Sequence, residues 1–141
     1  MLLLVKNHIK THFDDVGTAV NVRAAMKQPI ARASVGFVTP ISDQPSGNSR
    51  EPYMGQPLQE TVITFGVVIG IRSINDPTGE KGLVSLEKKR KALRSALMGW
   101  KPDSEHEPVL IGSGSLIGFA ENGLWWLDRF STITWQEGDN A

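Results

Sequence analysis

Residues 115–135 read SLIGFAENGLWWLDRFSTITW, and this stretch decides the fold. Asn122-Gly123 stands between two apolar runs, and both residues accept the positive φ that a tight hairpin turn requires. The spacing predicts strands over 115–120 and 124–135 around Glu121-Asn122-Gly123. Of the four tryptophans in the chain, Trp125, Trp126 and Trp135 fall here, with Phe130 between them. Neighbours on a strand point to opposite faces, so Trp125 and Trp126 are expected to diverge. One enters the core; the other meets a partner or a covering loop. Trp is costly to leave in water and is enriched at the centres of interfaces.

Working backwards, Leu83, Leu86, Leu93 and Leu97 predict a helix over about 83–98 with those four side chains inward and Gly99 at its C-terminal cap. Lys88 to Lys91 lies inside it and reads as a solvated face, with the stem of Arg90 along the core edge because it shares the Leu86/Leu93 stripe. Thr61 to Ser73 is the strongest strand. Ile63, Phe65, Val67, Ile69 and Ile71 share one face, and Thr64, Gly66, Val68, Gly70 and Arg72 share the other. Gly66 and Gly70 invite a close approach to the backbone.

Residues 40–57 contain Pro40, Pro45, Gly47, Pro52, Gly55 and Pro57, and read as a long flexible loop. A strand over Ala33 to Thr39 precedes it, stopped by Pro40. Leu2, Val5, Ile9, Phe13 and Val16 recur at spacings of three and four, which predicts a first helix over 2–16 ending at Gly17. Ala19 to Met26 fits either a short strand or a further helical turn. The order is helix, strands, helix, hairpin. An α+β domain with a mostly antiparallel sheet, helices packed on one face and a C-terminal β-hairpin satisfies it, as a single domain over 1–141.

The chain has 141 residues, 15 basic and 15 acidic, so no net field draws it toward nucleic acid or a membrane. It has no Cys, which excludes disulfides and thiolate metal sites. Met1 to Val5 is too short for a signal peptide and reads as a helix start; no stretch approaches the roughly 20 apolar residues of a membrane span. A soluble intracellular protein is expected. His8 and His12 have the spacing of a metal pair, but Ile9 stands where a zinc-protease pattern needs Glu, and His106 is remote. Gly112-Ser113-Gly114-Ser115-Leu116-Ile117-Gly118 leads into a strand and does not open a helix, so it reads as bends or bulges and not as a nucleotide loop. Neither a catalytic cluster nor a cofactor site is expected.

The element order, the segment Leu97-Met98-Gly99-Trp100-Lys101-Pro102 and the ending Leu124-Trp125-Trp126-Leu127-Asp128-Arg129-Phe130-Ser131-Thr132 together resemble the tail terminator (minor tail) proteins of long-tailed bacteriophages and prophages. The resemblance covers most of the chain. It implies a virion structural protein forming a ring, usually hexameric, on the head-proximal end of the tail tube. Such a ring stops tube addition and offers a docking surface to the head–tail connector or completion protein. It also implies a place at the head–tail junction of the virion, with assembly in the host cytoplasm. On this reading the partners are the chain itself, the tube protein and the connector, with no membrane and no nucleic-acid recognition. Strand 61–73 and hairpin 115–135 are expected at subunit contacts, through Gly66, Gly70, Trp125, Trp126 and Phe130. Arg50, Tyr53 and Met54 of loop 40–57 are expected to reach a neighbour or the tube. Three rivals remain: another connector, completion or tube protein; a small enzyme or ligand-binding domain with a pocket under loop 40–57; and nucleic-acid binding through Lys88 to Lys91.

Overall fold

The alternating run after Leu58 becomes the middle of a five-stranded sheet in the computed structural model, which describes residues 1–51 and 53–139. Strands β1 (Asp15–Thr18), β2 (Ser34–Pro45), β3 (Leu58–Arg72), β4 (Leu110–Ala120) and β5 (Gly123–Glu137) lie in the order β1-β2-β3-β5-β4. All pairings are antiparallel except β1 with β2. Helices α1 (Leu2–Ile9), α2 (Val22–Met26) and α3 (Glu80–Leu97) complete the fold. The α+β class and closing hairpin stand as expected, with both hairpin strands longer than predicted.

The two faces of β3 organise two cores. Phe65, Val67, Ile69 and Ile71 pack with Val5 and Ile9 of α1, Leu86, Leu93 and Leu97 of α3, and Phe130. On the opposite face Val68 packs with Val35, Trp125 and Leu127 under Ala25 and Ile30. Thus α1 and α3 cover one face, and the short α2 segment closes part of the other. Asn21 starts α2 by accepting a hydrogen bond from the Ala24 N–H at 2.8 Å, so within the ambiguous 19–26 region residues 22–26 are helix, while the Ala19 N–H donates to the Val38 carbonyl beside β1.

The first helix ends earlier than its apolar spacing suggested. A 3₁₀ turn over Lys10–His12 leads to extended backbone at Phe13. Val16 and Gly17 then pair with Gly36 and Phe37. Asp14 and Ser34 hold this switch: the Ser34 N–H donates to Asp14 Oδ2 at 3.0 Å, and the Asp14 N–H donates to Ser34 Oγ at 3.1 Å. Phe13 and Val16 satisfy a helical spacing, but side chains in an extended segment bury them equally well.

Pro40 does not stop β2. The register with β3 shifts between Pro40 and Ser42, and the extra residue, Ile41, absorbs a position that cannot donate to the ladder. The strand runs on to Pro45, and the loop shrinks to residues 46–57, of which Pro52 lies outside the described residues.

Helix α3 begins after Gly79, whose φ of 75° suits glycine. Asp76 accepts hydrogen bonds from Ser73 Oγ at 2.5 Å and the Gly82 N–H at 2.9 Å. Its inward stripe is Gly82, Leu86, Leu93 and Leu97; Leu83, expected inward, is 55% exposed. Gly82 sits so close to Ser73 that the helix meets the sheet at that position, which rotates Leu83 outward. The helix ends before Gly99, at φ 80°. The next residue, Trp100, stacks on His8 of α1 with ring centroids 4.0 Å apart. That contact gives the Leu-x-Gly-Trp segment a physical purpose: it stops α3 and ties it to α1.

The Ser73 hydrogen bond, then that of Gly82, holds the Asp76 carboxyl below its usual range. A depressed carboxylate adds stability above its unfolded pKa of about 3.9, and that stability is lost as pH falls through the lower folded value. Asp76→Asn is therefore expected to flatten the acid limb of the stability curve below about pH 4. Denaturant midpoints taken at successive pH values check this; an unchanged acid limb removes the assignment.

Candidate assembly surface

The two adjacent tryptophans diverge, and the chain covers both. Trp125 is 2% exposed, enclosed by Val35, Val68 and the α2 segment. Trp126, on the α1/α3 face, is half-buried beneath Arg90, whose guanidinium lies 4.4 Å from the indole centroid. Phe130 is buried and stacked against Phe65 at 5.7 Å. The exposed indole of the hairpin is Trp135, at 46%.

The glycines of β3 permit close approach, but the approaching atoms belong to the chain. A Cβ on Gly66 would lie 2.7 Å from Leu127 Cδ1, and one on Gly70 would lie 2.7 Å from Trp125 Cζ3 and 2.8 Å from Val35 Cγ2. Gly66, Gly70, Trp125 and Phe130 are therefore enclosed by the chain's own side chains. Strand β3 itself is flanked on both sides, so its backbone edge is taken.

Arg90 and Asp128 form a constellation that the sequence reading missed. Asp128, 2% exposed, accepts from Arg90 Nε at 3.0 Å, from Arg90 Nη2 at 3.0 Å, and from the Trp126 Nε1–H at 3.0 Å. The geometry is bidentate, the strong form of an Arg–carboxylate pair. Gly114 is close-packed on this cluster, since a Cβ there would collide with Asp128 Oδ1 and approach Arg90 Nη2 to 2.8 Å. The signal was present in the sequence: an Arg on the apolar stripe of α3, and an Asp two residues from Trp126 on the same strand face.

The other candidate chemical groups are occupied by packing. His8 Nε2 lies 2.9 Å from the Ala96 carbonyl, and His106 Nδ1 lies 2.6 Å from Asp103. The cationic run divides, with Lys89 donating to the His12 carbonyl at 2.8 Å and Arg90 turned onto Asp128, while Lys88 and Lys91 face outward. Among the described residues, no three His, Cys, Asp or Glu side chains converge to hold a metal. No described helix is long and apolar enough to cross a membrane.

What remains uncovered is the far end of the sheet. There β2, β3 and β5 run on together to Pro45, Leu58 and Glu137. Residues 105–107 run along the edge of β5, the Glu107 N–H donating to the Ile133 carbonyl at 2.8 Å, and on one face Thr132 Oγ1 and Thr134 Oγ1 donate to the Glu107 and Glu105 carbonyls. The other face is open. Val62 pairs with Ile133 and Glu60 with Trp135, and with Leu110 they line an apolar groove. The connecting loop is braced by Arg50, which donates to the Gln56 carbonyl at 2.9 Å and pairs with Glu137 at 2.7 Å. Asn48 Oδ1 accepts from the Arg50 and Leu58 N–H groups. Tyr53 is 97% exposed and Met54 is also exposed, while Arg50 holds the base of the loop.

Comparison with curated proteins gives no match. The family model described as phage tail terminator protein matches residues 4–136, nearly the whole chain, and the protein with this sheet, hairpin and open apolar end belongs to the phage tail terminator family.

Proposed function

We propose that this chain forms a ring of identical subunits, six in number, on the head-proximal end of the tail tube. There it stops tube polymerisation and supplies the surface on which the head–tail connector docks. Family membership makes it a structural component of the phage tail; the ring, its site and its partners are the reading advanced here. The supporting observation is the open end of the sheet, where Trp135 stands half-exposed beside Val62 and Ile133, with Tyr53 and Met54 exposed on the loop beyond. Apolar surface of this kind marks a place for another protein. The chain acts as one domain, by binding alone and without catalysis, in the virion and in the host cytoplasm before it.

Electron microscopy of tube subunits polymerised with and without this protein tests the reading. Short tubes bearing one terminal ring are expected; long tubes in its presence overturn it. Trp135→Ala is expected to abolish capping while shifting monomer stability by no more than about 0.5 kcal/mol, the usual scale for an exposed position. Equal losses of stability and capping would place Trp135 in the core.

A further inference from the structure

Two surfaces flank the start of β4, one on each face of the sheet. Leu110 and Ile111 are neighbours on that strand, so their side chains point to opposite faces. The Leu110 surface is the apolar groove with Val62, Ile133 and Trp135, rimmed by Glu60 and Glu107. The Ile111 surface lies along α3, where Met98 is exposed and Lys91 and Arg94 form the rim with Glu87.

Their net charges are opposite, with Glu87 the one acid among the cations of the second surface. Glu60, Glu107, Lys91 and Arg94 are in no ion pair among the described residues. Arg90, which also lines the second surface, is neutralised by Asp128. Arg94 Nε is shielded from solvent without a hydrogen-bond partner. Arg129, on the same face of β5 as Trp135, is turned onto Ser113 and Ser115.

We propose that the acid-rimmed Leu110/Trp135 surface of one copy docks on the cation-rimmed Met98/Ile111 surface of the next. A two-fold axis through either surface would set it against itself, Glu60 and Glu107 against their own kind or Lys91 and Arg94 against theirs. A head-to-tail contact brings unlike charges together around an apolar centre at every junction. A contact between different surfaces repeats from copy to copy, and closes as a ring when the rotation permits. Closure rests on the ring reading above; the contact itself rests on the two surfaces.

Two variants test it by sedimentation velocity across concentration. Glu60→Lys with Glu107→Lys makes both surfaces basic; Lys91→Glu with Arg94→Glu makes both acidic. Each alone is expected to associate about tenfold more weakly than the unaltered chain, or worse. An equal mixture is expected to recover association, because each surface of one variant then meets its opposite on the other. Glu60→Gln with Glu107→Gln, too conservative to unfold the chain, is expected to give a partial loss in the same direction. Added salt should weaken the unaltered assembly and the mixture alike. A mixture no better than its components, a reversed variant that associates normally, or an unaltered chain that stays monomeric at high concentration overturns the proposal. Tube capping by the same samples keeps the two readings apart. Capping that survives every reversal overturns this contact alone; normal assembly that leaves tubes uncapped overturns the tail reading alone.

Discussion

Asp128→Ala is expected to lower the stability of the folded chain by about 3 kcal/mol, the lower end of the range for breaking a buried ion pair. The carboxylate is almost completely buried and accepts two hydrogen bonds from Arg90 and one from Trp126. Removing it leaves a guanidinium and an indole N–H without acceptors. The Arg90 side chain retains 25% exposure, so water reaches part of the orphaned charge, which sets the loss at the lower end. Asp128→Asn keeps the shape and loses the charge, and about half that cost is expected. The double replacement Asp128→Leu with Arg90→Met is expected to regain much of the stability, because a buried pair is costly to desolvate in the first place. Urea midpoints at constant slope measure all three. A neutral effect of Asp128→Ala would mean that the Arg90 clasp contributes position without stability.

Trp125→Ala is expected to cost about 3–5 kcal/mol, the range for truncating a buried aromatic. The indole fills the space between β2, β3 and the α2 segment, where Gly70 has no side chain so that it can fit. On a chain of 141 residues each kcal/mol moves the melting temperature by roughly 3–4 °C, so the drop exceeds 9 °C. The contrast with Trp135→Ala is the informative comparison, because both residues sit on the same face of β5. Trp125 lies where α2 covers the sheet, and Trp135 lies beyond its reach. If the two substitutions cost the same in thermal unfolding of the monomer, the described division of that face is wrong.

The fold was legible wherever a local rule had one outcome. Alternation over 61–73 marked a strand, and the structure places it at the centre of the sheet with a core on each face. Asn122-Gly123 marked the hairpin, and Gly99 marked the end of α3. Where a pattern had two outcomes, the nearest spacing misled. Phe13 and Val16 continue the rhythm of α1 yet lie in extended backbone, because Asp14 and Ser34 make reciprocal bonds across 20 residues. Pro40 looked like an end and became a bulge, since the ladder could shift one residue around it.

The candidate surface was less legible, for a physical reason. Local sequence says that Trp125 and Trp126 diverge, but which face is covered depends on segments that are distant along the chain. Ala25 and Ile30 bury one indole and Arg90 lies over the other, and local spacing does not say which tryptophan each segment meets. The sequence by itself determined the α+β class, the hairpin, and the excess of aromatic surface near the C-terminus. Only the tertiary structure decided that Trp135 is the exposed tryptophan, that Gly66 and Gly70 serve the chain's own core, and that opposite charges rim the two faces at β4. Period and turn chemistry act between neighbours in sequence, whereas burial is settled by whatever the whole chain brings to lie above a residue.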